Sequence, residues 1–400
     1  MKTWLQKLWH DPAIRYAFAI WLVLRIALSV WAALLNAWMP SSVPLDPDQL
    51  YRYLGVQPVT EGWAGWLLGP WQRWDTNWYV AVALQGYSVD ETAIFAPPLY
   101  PLLIRGLGTL LGGGAVAFLL AGLLISNGAY IAGLACFYKL TAWETDVPTA
   151  QRGMVYLALF PTAFFFLAAY SESLFLLFTV AALYAARRGR WMWAGIWGAL
   201  APLTRLPGAV LIVPLAWEWG HQVLTTRRRG GEVSWRGGAW LLLPLLGALV
   251  FPLYAWFRLD SGSLFAPFSI HTQRFHGRFT WPGLCLVDAL RVLASGRFRS
   301  IEPFDLFFAL LFIVLTVLVC WRLPRVYGIY MISILAGVLT KTAPIQPLLS
   351  VSRYVLSLFP AFILLGRWGR NPWLHRFIVY PSIALFLFFS GQFVIWGYVG

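Results

Sequence analysis

The segment IRYAFAIWLVLRIALSVWAALLNAW (Ile14–Trp38) decides the class of this protein. It is apolar over about 20 residues, the length that an α-helix needs to cross the hydrocarbon core of a bilayer. It is too long for a signal-peptide core and lacks a small-residue cleavage site, so we expect a retained first membrane helix. Arg25 lies in the middle of this segment, and a charge there should face the protein interior and have a partner, or lie nearer the membrane interface than this placement suggests.

The composition extends this interpretation to the whole chain. Of the 400 residues, 60% are hydrophobic and 12% are charged, and the mean hydropathy is +0.66. A soluble domain has about 25% charged residues, and a transmembrane β-barrel has alternating segments of about 10 residues instead of solid apolar runs. The sequence therefore predicts an all-α polytopic membrane protein with about 11 spans. The predicted spans are 14–38, 115–139, 152–169, 171–187, 191–203, 206–220, 237–258, 304–322, 325–341, 350–366 and 376–398.

The distribution of charge predicts the topology. The net charge is +14, but the basic residues cluster in short segments that all fall on one side when the N-terminus is inside, as the positive-inside rule requires. We therefore expect contact with membrane lipids and no nucleic-acid partner. Residues 1–400 are interpreted as a single integral membrane domain with two long outer loops, 39–96 and 259–303. The apolar segment Pro97–Gly114 is interrupted by Pro, Gly and Arg105, so it is predicted to be an interfacial or re-entrant helix.

The first outer loop contains WQRWDTNWYVAVALQGYS (Trp71–Ser88), in which Asp75 is the one carboxylate among several rings. A carboxylate shielded by aromatic residues at the membrane surface could take a proton from a sugar hydroxyl. The alternative is a solvated loop acid beside an interfacial aromatic belt.

Two further candidates interrupt apolar runs. FPTAFFFLAAYSESLFLLF (Phe160–Phe178) places Tyr170 and Glu172 at a membrane boundary, where Ser171 could simply cap a helix, although a carboxylate there is costly unless it is paired or functional. APLTRLPGAVLI (Ala201–Ile212) carries Arg205, whose planar fork matches phosphate oxygens. The alternative for Arg205 is a snorkelling or ion-paired side chain.

The second outer loop adds basic residues, and the first adds a pair of acids. APFSIHTQRFHGRFTWP (Ala266–Pro282) suggests a basic, aromatic surface facing lipid phosphates, and its two histidines indicate zinc only weakly. In LDPDQL (Leu45–Leu50) the D-x-D spacing could hold a divalent cation, but it is more often turn chemistry. We therefore expect no metal or other cofactor.

Five motifs occur in an order that resembles the PIG-V family of mannosyltransferases. They run from RWDTNWYVAVALQGYS through FAPPLYPLL (Phe95–Leu103), FPTAFFFLAAYSESLF and LTRLPGAVLIVPL (Leu203–Leu215) to SRYVLSLFPAFILL (Ser352–Leu365). The resemblance implies a GT-C-type multi-helix bundle whose long first outer loop contains short helices. It further implies a polyprenyl-phosphate-linked sugar as donor on the outer face and inversion of the anomeric configuration. It also implies that Asp75 is the base. The chain is compact and lacks an Asn-x-Ser/Thr sequon, which favours a prokaryotic member in the plasma membrane.

The chemistry of such a transfer assigns the remaining residues. A lipid phosphate is already a good leaving group, so the protein must neutralise its developing charge and deprotonate the acceptor hydroxyl. The predicted donor-phosphate ligands are Arg205, Arg353, Arg274 and Arg278. The predicted substrate contacts are Arg73, Trp74, Tyr79, Tyr170, Glu172, His271, Gln273 and Tyr354. The acceptor would be a glycan, glycolipid or glycoprotein. The alternative functions are a transporter or flippase of a lipid-linked sugar, which should have inverted repeats, and a scaffold without activity.

Overall fold

The computed structural model describes residues 10–39, 47–231, 235–274, 276–296, 298, 301–344 and 346–399, without the side chains of residues 47–49, 236 and 271–274. The chain folds into two compact units. Unit 1 comprises Met1–Leu177 and Leu365–Val399, and unit 2 comprises Phe178–Leu364 with Gly400.

Unit 1 consists of helices joined by short 3₁₀ segments. Its α-helices are α1 (Pro12–Trp38), α2 (Gly62–Leu67), α3 (Asp75–Gln85), α4 (Leu99–Leu110), α5 (Gly114–Glu144), α6 (Val147–Ala158) and α18 (Pro372–Val394). Two further helices belong only in part to unit 1: α7 (Glu172–Arg187) begins in it and α17 (Pro360–Trp368) ends in it. Its 3₁₀ segments are Pro47–Tyr53, Gly69–Trp71, Tyr87–Val89, Glu91–Phe95 and Ala163–Phe166. α5 packs against α1, α4 and α6, and α18 packs against α1. The segment that was predicted to be the first outer loop thus contains short helices, as expected.

Unit 2 combines helices with one small β-ribbon. Its α-helices are α8 (Trp191–Leu200), α9 (Ile212–Arg228), α10 (Arg236–Ala239), α11 (Leu242–Arg258), α12 (Ala266–Arg274), α13 (Leu284–Ala294), α14 (Glu302–Arg322), α15 (Arg325–Leu339) and α16 (Val351–Tyr354), with 3₁₀ segments at Leu206–Leu211 and Val355–Ser357. Strands β1 (Arg278–Phe279) and β2 (Lys341–Thr342) pair antiparallel. α11 packs against α8, and α15 packs against α9 and α14.

The start of α1 shows how the local sequence sets a helix boundary. Asp11 caps the helix by accepting the Ala13 N–H at 3.0 Å, and Pro12 occupies the first turn, where its missing N–H is not needed. The buried residues of α1 recur at helical spacing along one face, and its other faces expose large apolar side chains such as Val23 and Ile26. An apolar exterior of this kind is suited to lipid.

Within the described residues, five helices are long and apolar enough to cross a membrane. They are Pro12–Trp38, Gly114–Glu144, Gly237–Arg258, Glu302–Arg322 and Pro372–Val394, and each corresponds to a predicted span. Leu99–Leu110 and Arg325–Leu339 are shorter apolar helices. The predicted class of an all-α, polytopic integral membrane protein is confirmed.

The prediction of one continuous span over 152–169 is wrong. Helix α6 ends at Ala158, and Pro161 follows, where a helix would lose a hydrogen bond and clash. The chain then forms the 3₁₀ segment Ala163–Phe166 and a series of buried turns up to α7. The prediction over 350–366 is wrong for a similar reason, because the chain passes through a 3₁₀ segment and α17 begins only at Pro360.

Side chains from α1 and α5 satisfy the irregular backbone of this buried segment. Arg25 donates to the Leu167 carbonyl at 3.1 Å, Asn127 donates to the same oxygen at 3.1 Å, and Ser126 donates to the Tyr170 carbonyl at 2.6 Å. Buried backbone groups require such partners, above all within a membrane. The prediction that Arg25 faces the interior and has a partner is confirmed.

Candidate active site

Asp75 follows a tight turn in which one residue has a backbone conformation that glycine usually adopts. The Thr76 N–H donates to the Arg73 carbonyl at 3.1 Å, and between them Trp74 has φ 49° and ψ −120°. These angles belong to the first central position of a type II′ turn, where glycine is preferred. A bulky residue there costs on the order of 1–3 kcal/mol and persists only where its surroundings enforce the conformation. The strained residue lies directly before the predicted base.

The main chain of Asp75 is tied to the interior of unit 1. Its N–H donates to the hydroxyl of Tyr170 at 3.2 Å, and Tyr170 is fully buried. Asp75 itself is half-buried and is the first residue of α3. The start of a helix favours a negative charge, because its N–H groups lack intrahelical acceptors and the helix dipole is positive there. The structure thus holds a partly accessible carboxylate at a fixed backbone position.

Three other predicted substrate contacts lie near this anchor point. Tyr79 is buried, and its hydroxyl lies 2.9 Å from the hydroxyl of Ser171. The Tyr79 ring meets the Tyr170 ring edge to face at 6.2 Å. Glu172 is buried at the start of α7. The structure therefore brings Tyr79, Tyr170 and Glu172 into the same region of unit 1 as Asp75, and their contact with substrate remains a prediction.

Arg73 is a buried anchor of the turn. Its guanidinium donates to the carbonyls of Val394 at 2.9 Å, Gly69 at 2.7 Å and Gln72 at 3.2 Å. Burial lowers the pKa of Arg73 from its ordinary value to about 10, with Tyr53 acting in the opposite direction, so the side chain stays protonated at neutral pH. Its donors are directed at main-chain oxygens of the protein, which suits a role in positioning the turn, and its contact with substrate remains a prediction.

Trp74 lies in a cluster of rings and cations that includes the residues after α18. Its indole N–H donates to the Gly397 carbonyl at 3.2 Å. Its ring meets Trp396 at 5.6 Å and Tyr398 at 5.5 Å, both edge to face, and the guanidinium of Arg52 lies 5.6 Å from the Trp74 ring centre. Trp74 is half-buried. The side chain is therefore fixed on several sides and remains partly accessible.

In unit 2, Arg205 lies against Tyr354. The Arg205 guanidinium is 5.0 Å from the Tyr354 ring centre, a cation–π arrangement. Arg353, the neighbour of Tyr354 in α16, is buried as well. The Asp305 carboxylate accepts the Ser352 N–H at 2.8 Å and so fixes the main chain of this turn. The structure brings Arg205 and Tyr354 together and leaves their predicted roles open to experiment.

The turn that carries Arg205 requires glycine at position 208. A Cβ atom on Gly208 would lie 2.4 Å from the Pro202 nitrogen, which is backbone and cannot rotate away. We expect Gly208→Ala to destabilise the protein by about 1–3 kcal/mol through overpacking. Gly220 is the matched control: a Cβ there meets nothing within 4 Å and the residue lies inside α9, so alanine should stabilise by about 0.5–1 kcal/mol. Thermal unfolding midpoints at one scan rate measure both, and equal midpoints would contradict the prediction.

The remaining predicted residues of the second outer loop lie in α12 and the β-ribbon. Arg278 is exposed in β1 and is paired in register with Thr342. His271, Gln273 and Arg274 belong to α12, but their side chains lie outside the described residues. Asp46 of the D-x-D pair also lies outside the described residues. The described part of the chain holds no group of three or more His, Cys, Asp or Glu residues that could bind a metal.

The structure adds residues that the sequence alone did not single out. Three of them contact Trp74: Arg52, Trp396 and Tyr398. Arg52 lies earlier in the first loop, whereas Trp396 and Tyr398 follow α18. Ser126 and Asn127 support the buried segment before α7. The polar pair Ser126–Asn127 in an apolar run was a visible signal, since polar residues within spans usually have a specific partner.

Comparisons with known proteins support the resemblance to the PIG-V family over the first half of the chain. The family model described as mannosyltransferase (PIG-V) matches residues 15–217, which include the Asp75 turn and Arg205. The GPI alpha-1,6-mannosyltransferase 2 of Cricetulus griseus is 27% identical over 217 residues. That match covers 50% of this chain and 42% of the relative, so the aligned part spans less than half of the relative's length.

Among solved structures, the crystal structure of the Archaeoglobus fulgidus oligosaccharyltransferase in complex with Zn and sulfate is similar over 92% of this chain and 53% of that chain. The identity is 13% and the TM-score is 0.44.

Proposed function

This chain belongs to the mannosyltransferase (PIG-V) family, and from that premise we propose that it is a membrane mannosyltransferase. The donor in this proposal is a polyprenyl-phosphate-linked mannose, and the acceptor is a hydroxyl of a glycan, glycolipid or glycoprotein. The reaction takes place on the outer face of a prokaryotic plasma membrane. The proposal includes the GT-C-type fold that the resemblance to this family implies.

The observation that carries the proposal is the setting of Asp75. The residue lies within the matched family segment, is half-buried, and begins a helix whose first N–H is bonded to the buried Tyr170. A general base must keep a fixed position relative to the hydroxyl it deprotonates, and a rigid helix start with a partly accessible carboxylate supplies this. Solvated loop acids have no such anchoring.

The chemistry follows from a single displacement. The acceptor oxygen forms a bond to the anomeric carbon while the bond from that carbon to the lipid phosphate oxygen breaks. Asp75 takes the hydroxyl proton, and the phosphate leaves with the electron pair. The configuration at the anomeric carbon inverts, so a β-linked donor yields an α-linked product. The name of the relative specifies α-1,6 transfer for that protein, and we extend the α linkage to this chain as part of the proposal.

The test is a transfer assay with the full-length protein in lipid nanodiscs. Radiolabelled polyprenyl-phosphate β-mannose and GDP-mannose are offered separately with a panel of glycan and glycolipid acceptors, and the product is digested with α- and β-mannosidases. We expect an α-linked product from the lipid donor alone. Transfer from GDP-mannose alone, or a β-linked product, would overturn the proposal. Movement of the lipid donor across sealed vesicles without transfer would support a flippase instead.

Arg205 is proposed to bind the donor phosphate. Its planar guanidinium faces the Tyr354 ring and is therefore oriented before substrate arrives. A hydrogen bond to a charged group contributes about 1.5–3 kcal/mol, so Arg205→Ala should raise the donor KM by about 10- to 150-fold. Initial rates at varied donor concentration measure this effect.

A matched arginine controls for the loss of one positive charge. Arg228 is exposed at the end of α9 and is predicted to lie on the cytoplasmic side, so Arg228→Ala should leave the donor KM within about twofold. Arg205→Lys keeps the charge without the planar fork and should fall between wild type and alanine. A wild-type donor KM in Arg205→Ala would refute the assignment.

A further inference from the structure

The residues that follow α18 form a second turn with a tryptophan in a glycine-type conformation. Gly397 donates to the Gln392 carbonyl at 2.6 Å and Trp396 donates to the Phe393 carbonyl at 3.2 Å. This pair of bonds defines a Schellman motif, whose left-handed residue is usually glycine. Here that residue is Trp396, with φ 66°. We refer to Trp396–Tyr398 as the C-terminal clamp.

The clamp holds the other strained tryptophan, Trp74. The two indoles meet edge to face at 5.6 Å, the Tyr398 ring contacts Trp74 at 5.5 Å, and the Gly397 carbonyl accepts the Trp74 indole N–H. The bond between Trp74 and Gly397 joins residues that are 323 positions apart in sequence. Two unfavourable backbone conformations thus face each other. Such conformations persist only where their surroundings enforce them.

Two arginines fix the clamp on its other sides. The guanidinium of Arg73 lies 4.9 Å from the Trp396 ring centre, and that of Arg52 lies 5.6 Å from it. Arg73 also donates to Val394, the last residue of α18, and Tyr53 meets Trp396 edge to face at 5.4 Å. Trp396 is buried, with 6% of its surface exposed. The clamp is therefore a packed part of unit 1, in contact with the turn that presents Asp75.

We propose that the C-terminal clamp positions Asp75 by holding Trp74 in its glycine-type conformation. The inference rests on the proposed role of Asp75 as base. Asp75 is the residue after Trp74, so a relaxation of Trp74 towards ordinary backbone angles would rotate the start of α3 and move the carboxylate. Trp396 has a positioning role and does not itself contact the reacting atoms.

The sharpest variant is Trp396→Gly. Glycine accepts the left-handed conformation that the Schellman motif needs, so the turn at the end of α18 can persist while the contact with Trp74 is lost. A displacement of about 1 Å in a catalytic group can cost about 10²-fold in rate. We expect kcat to fall about 10- to 100-fold, with the donor KM within about threefold of wild type. Trp396→Phe, which keeps a ring in place, should recover most of the rate.

A double-mutant cycle separates positioning from general destabilisation. If Trp396 acts through Asp75, Trp396→Gly should cause little further loss in an Asp75→Asn background, because coupled residues are not additive. Phe389→Ala is the control for stability: Phe389 is buried in α18, and its loss should lower the unfolding midpoint without changing kcat per folded molecule. An equal loss in both backgrounds, or an unchanged kcat in Trp396→Gly, would overturn the proposal.

Hydrogen exchange gives a readout that does not depend on activity. In Trp396→Gly the amides of residues 74–77 should exchange faster, while those of α1 away from the clamp should keep their protection. If Asp75→Asn proves fully active, the base assignment fails, and exchange still decides whether the clamp orders the turn. Unchanged exchange at residues 74–77 would refute the clamp even where Asp75 is confirmed as the base.

Discussion

Asp75→Asn should lower kcat for mannose transfer by about 10²- to 10⁴-fold, the contribution of a positioned general base. Asparagine matches aspartate in size and can keep the N–H bond to Tyr170, which involves only the main chain of residue 75. The substitution removes the proton acceptor and leaves the donor-binding residues in place. The donor KM should therefore stay within about threefold of wild type, because the lost interaction acts in the transition state.

The control is an acid in the same loop with no catalytic assignment. Glu61 is exposed and makes no side-chain capping bond at the start of α2, so Glu61→Gln removes one negative charge from the loop without touching the Asp75 turn. Its kcat should equal that of wild type within about twofold. Initial rates and unfolding midpoints are measured for all three proteins. A folded Asp75→Asn enzyme that transfers mannose at the wild-type rate would remove Asp75 from the mechanism.

The class of the fold could be predicted because hydropathy depends on local composition. Each of the five long apolar helices of the described residues coincides with a predicted span. The errors occur near Pro161 and Pro360, where proline removes a helical hydrogen bond and the apolar average of the segment does not show the break. Proline alone could not have marked these breaks, because Pro252 and Pro381 lie inside α11 and α18, which both correspond to predicted spans.

The site was less predictable because its geometry depends on distant contacts. Asp75 could be selected from its polar character in an apolar context and from the order of motifs. The glycine-type conformations of Trp74 and Trp396 have no sequence signal, since neither residue is glycine and the contact that fixes them joins the first loop to the end of α18. The sequence suggests a substrate contact for Arg73 because it lies beside Asp75, whereas the carbonyls to which it donates could not be identified from the sequence.

Arg73→Leu should lower the stability of the folded protein by about 2–4 kcal/mol, since buried acceptors left without a donor cost about 1–3 kcal/mol each. The Gly69 carbonyl keeps a bond from the Gln72 N–H, so the main losses are at Val394 and Gln72. The stacking of the guanidinium on Trp396 is lost as well. Arg15→Leu in α1, where Arg15 is exposed, should change stability by less than about 0.5 kcal/mol. Similar unfolding midpoints for the two variants would contradict the buried-anchor role.

The pH dependence of stability distinguishes burial of the charge from loss of packing. Burial lowers the pKa of Arg73 to about 10, so the folded state binds fewer protons than the unfolded state only above about pH 10. Stability rises with pH where the unfolded state binds more protons, so Arg73 contributes no slope between about pH 6 and 9. A lysine at this position starts from a pKa of about 10.4, which burial lowers by up to about 3–5 units. The thermal unfolding midpoint of Arg73→Lys, compared with that of wild type at the same pH, should therefore rise as the pH is increased from about 7 to about 9. Parallel curves of unfolding midpoint against pH for wild type and Arg73→Lys would mean that the cation at position 73 is not desolvated, and would contradict the buried-anchor role of Arg73.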